Sequence, residues 1–187
     1  MVAEAARPAN PPDPAAFAKR LADTSLDLRA KAAVVAEVRE MIEVFVNVDY
    51  AHFLNTVLPV QMDLLENTPC AFVSDAPEQR LRHGIIETIY RYPQHEAVRT
   101  HAERLMRVML RAVQEDNEEN ATVAFKVIID LHRSFKAVLQ PQVQPFLELV
   151  QKLYLNMRTA VAEAFGTERT PGKAASPPAG ESASDLS

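Results

Sequence analysis

Along this chain, hydrophobic positions recur at three- and four-residue spacing, the period of helices buried along one face. Between Pro77 and Phe135 two such patterns are joined by the acidic hinge Glu115-Asp116-Asn117-Glu118-Glu119-Asn120, and the pairing reads as part of a stack of antiparallel helices. Upstream, Asp13 before Pro14 predicts an N-cap with proline at the first helical position and a short helix to about Ala22. Asp23, Thr24 and Ser25 interrupt and can cap a second helix from about Leu26 to Val46, striped by Leu28, Ala32, Val35, Ile42, Phe45 and Val46. Asp49 predicts the cap of a third, from about Tyr50 to Glu66, with a kink at Pro59, which removes one backbone hydrogen bond.

After a loop over Asn67 to Ala76, a fourth helix runs from Pro77 to about Arg91. Its buried stripe is Leu81, Ile85, Ile86 and Ile89, with Arg80, Arg82, His83 and Glu87 read as facing outward. A fifth spans about Glu96 to Gln114, and its wide apolar arc predicts neighbours on more than one side. A sixth follows the hinge to Phe135. A seventh carries Val143, Phe146, Leu147, Val150, Leu153, Tyr154, Met157 and Val161 and ends near Phe165. Pairing the second helix with the third, the fourth with the fifth and the sixth with the seventh gives hairpins starting near Leu26, Pro77 and Glu118. That recurrence, roughly every 40 to 50 residues, is the range of HEAT and armadillo repeats. The expected architecture is therefore all-α: a HEAT/armadillo-like stack of about seven helices over residues 13–165, with polar, disordered tails at 1–12 and 166–187.

Composition supports this. Four glycines and no tryptophan among 187 residues suit helices, because glycine costs roughly 1 kcal/mol in a helix interior. A net charge of -5 and a pI near 5.6 argue against nucleic-acid binding as the main activity, since phosphate neutralisation needs clustered Lys and Arg. The single cysteine, Cys70, allows no internal disulfide and fits cytosol or nucleus. Neither a secretory signal nor a membrane anchor is read at the N-terminus, and no run approaches the roughly 18 apolar residues of a spanning helix.

Candidate chemistry is sparse. The acidic hinge can dock a basic partner, but capping of the following helix by Asp116 or Asn117 explains it better. His95 and His101 are six residues apart, where zinc pairs on one helix face sit four apart. His132 lies beside an apolar stripe and reads as a packed histidine. Arg80, Arg82, Arg104, Arg107 and Arg111 make the fourth and fifth helices locally basic and are the candidate contacts for acidic partner segments, although interspersed glutamates favour solvated ion pairs. Val143, Leu147, Val150, Tyr154 and Met157 form the candidate apolar end face, where a further repeat would stack. No phosphate loop, nucleophile elbow or other catalytic pattern is present in the sequence, so no catalytic residue, metal, cofactor or small-molecule ligand is expected.

The stretches Pro77-Glu78-Gln79-Arg80-Leu81-Arg82, Ile85 to Arg91, the hinge, Val127-Ile128-Ile129-Asp130-Leu131-His132-Arg133-Ser134-Phe135 and Phe146 to Tyr154 together resemble the extreme N-terminal region of the transformation/transcription domain-associated protein family. These are pseudokinase scaffolds of the phosphatidylinositol-3-kinase-related class, and the likeness spans roughly Leu26 to Met157. It implies a non-enzymatic, nuclear HEAT-repeat segment of a coactivator that links activators to histone acetyltransferase complexes of the SAGA type. The partners implied are later repeats of the same scaffold, acetyltransferase complex subunits and acidic activation segments, without direct nucleic-acid or membrane binding. The chain stops where the family's superhelix would be starting. The competing expectation is a free-standing helical adaptor whose groove binds an amphipathic peptide.

Overall fold

The computed structural model describes residues 13–165, and the expected tails at 1–12 and 166–187 lie outside the described residues. Every regular element among them is helical. Asp13 accepts the Ala15 amide at 2.9 Å and Pro14 opens α1, Pro14–Ala22. Asp23 folds instead into a turn on Ser25, and the cap of α2, Leu28–Glu40, is Asp27, which accepts from Ala30 at 2.7 Å.

The predicted second helix is broken. At Met41 (φ -96, ψ 0) the amide is shared between the carbonyls of Glu37 and Val38, which tightens and ends α2. The chain re-enters helix as α3, Ile42–Asn67, which contains one non-helical residue, Asp49 (φ -156, ψ 83). The Asp49 carboxylate accepts the His52 amide at 3.0 Å, so the predicted cap stands at the bend. Pro59 keeps helical dihedrals, and the break expected there falls ten residues earlier at Asp49.

α4 is Pro77–Tyr90. A 3-10 turn, Glu96–His101, then leads into α5, Ala102–Glu115, followed by α6, Glu118–Ser134. The one-turn α7, Lys136–Leu139, and a second 3-10 turn, Gln140–Gln142, precede α8, Val143–Phe165. Two compact units divide this chain, residues up to Val150 and residues from Gln151.

In the first unit α2, α4 and α6 form one layer, and α1, α3 and α5 form the other. The first layer's helices begin at Leu28, Pro77 and Glu118, so the repeat spacing read from the sequence is real. The hairpin partners differ from expectation. The closest consecutive pair is α5 with α6, joined only by Asp116 and Asn117, while the connection over residues 91–101 carries α5 onto α3.

Phe53 sits at the centre of the core, fully buried, stacked on Phe45 at 4.4 Å and edge-on to Tyr92 at 5.5 Å. Such side chains contribute roughly 1.5–3 kcal/mol each on burial. Two tyrosine hydroxyls in this core find acceptors, Tyr92 on Gln61 Oε1 at 2.7 Å and Tyr50 on the Pro93 carbonyl at 2.9 Å. Burial of both rings pushes their phenols above the ordinary range. At the start of α8, Leu149 is buried and Phe146 packs against Phe125 and His132. In the second unit residues 151–165 are helical, with Leu153, Tyr154, Leu155, Met157 and Val161 exposed.

Candidate functional site

The conspicuous polar constellation lies where α3 ends, α4 begins and α5 turns into α6. Arg82, expected to face outward, is buried, its side chain 5% exposed. Its Nη1 donates to the carbonyls of Leu65 and Thr68, both at 2.6 Å, which lie at the C-terminal end of α3. Those are orphan acceptors at the negative end of a helix dipole, and a cation is the group that satisfies both needs. The other side of the guanidinium meets Asp116, with Nε and Nη2 at 2.8 and 2.7 Å from Oδ2.

The Asp116 carboxylate is fully buried and sits at the positive end of α6, where its Oδ1 accepts from the Asn117 amide and from Asn120 Nδ2, both at 3.0 Å. Arg82 and Asp116 thus tie two opposite dipole ends together through one ion pair. Asn117 is the N-cap of α6, accepting the Asn120 amide at 3.0 Å, and its own amide group donates to the Ala71 carbonyl at 3.2 Å. Asn120, fully buried, gives a hydrogen to Gln79 Oε1 at 2.9 Å and presents its oxygen to His83 Nδ1 at 2.9 Å. That nitrogen of His83 therefore carries the hydrogen. The hinge is a knot binding α3, α4, α5 and α6, so the capping reading holds and Asp116 is withdrawn from any docking surface.

The remaining basic candidates do not form one free patch. Arg80 pairs with Asp75 at 2.8 Å and Arg111 with Glu115 at 2.7 Å. Arg104 bridges Glu66, at 2.6 Å, and Asp63, and these carboxylates hold its guanidinium above the ordinary arginine value. Arg107 is exposed and has no ion pair among the described residues. Arg82 is thereby corrected from partner contact to buried structural cation. A side chain already neutralised in place offers an incoming acidic segment little beyond exchange of partners.

The apolar candidates are solvent-exposed. Val143, Leu147 and Val150 are exposed in the first unit, at 41%, 54% and 38%. Tyr154 and Met157 are exposed in the second.

The histidines are dispersed. His95 Nδ1 accepts the Ala97 amide at 3.1 Å as the cap of the 3-10 turn, and His101 Nε2 meets Asn55 Oδ1 at 2.8 Å. Burial, then the neighbouring Arg104, lowers the His101 pKa. The His132 ring lies 5.3 Å from Phe146 with Nε2 buried and unpartnered, and burial lowers its pKa. Among the described residues no group of three or more His, Cys, Asp or Glu side chains is placed to hold a metal ion, and no helix is long and apolar enough to cross a membrane. Burial pushes the Cys70 thiol up, which leaves less of the reactive thiolate.

No family model matches the chain. Among curated proteins it is 35% identical over 135 residues to a transcription-associated protein 1 of Dictyostelium discoideum, covering 72% of this chain and 3% of that protein. The transformation/transcription domain-associated protein of Danio rerio is 30% identical over 150 residues, 80% of this chain and 4% of the relative. The SAGA complex/NuA4 acetyltransferase complex subunit Tra1 of Schizosaccharomyces pombe is 32% identical over 162 residues, 85% of this chain and again 4% of the relative. This chain spans only a few per cent of the length of the relatives it matches.

Proposed function

This chain belongs, as a short segment, to the transformation/transcription domain-associated protein family, and from that membership we propose that it is a non-enzymatic interaction segment of a transcription coactivator. In this reading it works in the nucleus as part of a histone acetyltransferase complex of the SAGA type. Its chemistry is surface complementarity to other proteins. The observation carrying the proposal is similarity over most of the chain to subunits named for SAGA and NuA4 complexes.

The internal chemistry supports it. The buried guanidinium of Arg82 spends its donors on Asp116 and on helix-terminal carbonyls, which fixes helices against one another. The exposed apolar side chains Val143, Leu147 and Val150, and separately Tyr154 and Met157, are the partner contacts in this proposal, offered to further helical repeats or to complex subunits.

The test is affinity purification of the tagged chain from nuclear extract at physiological salt, with subunits identified by mass spectrometry. Enrichment of acetyltransferase complex subunits over a control, reduced by Leu147→Asp, is the expected result. A chain that enriches none of them, or that distributes to the cytoplasm with a single peptide partner, refutes the proposal in favour of a free-standing adaptor.

A further inference from the structure

The α3–α4 loop carries the two most exposed large hydrophobic side chains among the described residues, Phe72 at 74% and Val73 at 68%. Isolated exposed apolar residues need no explanation, but an adjacent aromatic and β-branched pair on a loop held at both ends is a different object. On one side Arg82 holds the carbonyls of Leu65 and Thr68, and Asn117 holds that of Ala71. On the other the Ala76 amide closes on the Val73 carbonyl at 3.0 Å, and Arg80 pairs with Asp75. The loop is therefore fixed before any partner arrives, which removes part of the ordering cost of binding.

Phe72 forms one wall of a cleft of about 470 Å³ whose other lining includes Ser74, Gln79, Glu118, Glu119 and Thr122. That volume lies within the range of about 300–1,000 Å³ for pockets that seat a ligand group. The far wall is acidic. Glu118 has no ion-pair partner among the described residues, and Glu119 has only His83 Nε2, at 3.6 Å. The α6 terminus beneath them supplies about half a positive charge, so the two carboxylates leave the wall negative.

We propose that this cleft between the α3–α4 loop and the first turns of α6 is a docking site for a partner peptide segment that sets an apolar side chain beside a lysine or arginine. The apolar group packs on Phe72 and the cation faces Glu118 and Glu119. Charge complementarity selects this occupant: an acidic segment meets like charge, and an anionic membrane surface is repelled by the same wall. The site stands independently of the α8 surface and of the coactivator reading.

The experiment is panning of a random-peptide display library on the full chain, followed by titration of the enriched peptides and mapping by amide chemical shifts. Enriched peptides are expected to carry Lys or Arg next to aliphatic or aromatic residues and to shift residues 71–75 and 117–123. Phe72→Ser, and separately Glu118→Gln with Glu119→Gln, should each weaken binding at least about tenfold; Phe72→Ser should retain the melting temperature, and the double glutamine variant should lower it by only a few degrees, since each first-turn glutamate contributes about 0.3–1 kcal/mol at the α6 terminus. The proposal is overturned if no peptide enriches, if enriched peptides are acidic or map elsewhere, or if both variants stay within about twofold of the parent. Phe72-dependent self-association or binding to anionic vesicles in place of basic peptides overturns it equally.

Discussion

Replacing Arg82 by methionine keeps most of the side chain's volume and removes its charge. What remains is the Asp116 carboxylate, fully buried, with its guanidinium partner gone, and two carbonyls at the end of α3 with no donor. Breaking one side of a buried ion pair costs about 3–5 kcal/mol. Hydrogen bonds to charged groups are worth about 1.5–3 kcal/mol each, but they share the same guanidinium and do not add, so the upper end of the first range, about 4–5 kcal/mol, is expected. For a chain of this size each kcal/mol moves the melting temperature by about 2–4 °C, which gives a drop of about 8–20 °C. Circular dichroism during thermal and urea unfolding measures it. Adding Asp116→Asn to Arg82→Met makes the knot neutral and should recover part of the loss, with a coupling of about 2 kcal/mol in the double-mutant cycle. Arg107→Met, at an exposed unpaired site, should change stability by less than about 0.5 kcal/mol. A cost under about 1 kcal/mol for Arg82→Met, or an additive cycle, would refute the ion-pair knot as the tie between α3, α4 and α6.

Gly84 lies inside α4 with its nearest neighbour, Val35 Cγ1, at 3.5 Å from where a Cβ would stand, an ordinary contact. Gly84→Ala should therefore stabilise by about 0.5–1 kcal/mol, read as a higher urea midpoint, and a destabilised variant would show the α2–α4 contact to be tighter than this distance. His101 and His132 have folded pKa values below the ordinary 6.5, each with burial as the leading cause. The unfolded chain then binds more protons, so stability is complete above that value and falls as pH drops through 6.5 toward the folded values. His132→Phe should flatten the slope of the urea midpoint against pH between neutral and mildly acid conditions, and an unchanged slope would count against the assignment for His132. Leu147→Asp should suppress concentration-dependent light scattering by the chain, and clean monomeric behaviour of the parent at high concentration would remove the apolar α8 surface as a sticky face.

Apart from the break at Met41 and the bend at Asp49, helix positions and repeat spacing could be read from the sequence because each depends on local signals. Asp13 and Asn117 cap the helices that follow them, and the first-layer helices start at Leu28, Pro77 and Glu118. The identity of packing partners was not legible. The wide apolar arc of α5 announces neighbours on more than one side, and only the structure names them as α6, α3 and α7. Phe72 and Val73 sit in a loop without periodicity, so nothing in the pattern separates them from ordinary loop residues.

Arg82 is different, because the pattern did mark it and its charge masked the mark. At about 100° per residue, Leu81, Ile85, Ile89 and Ile86 fall at about 0°, 40°, 80° and 140° around α4, and Arg82 falls at about 100°. Asn120 occupies the same central place on α6, between Val123 and Val127 on one side and Ala124, Leu131 and Ile128 on the other. An ionised group held within an apolar arc is too costly to bury alone, so its position already requires a counter-charge from another element. The hinge supplies that acid at Asp116, at the junction of two helices where no side chain has yet been assigned to a stripe. Where period and polarity disagree in a stacked-helix chain, period decides the face, and polarity then says what must be found opposite it.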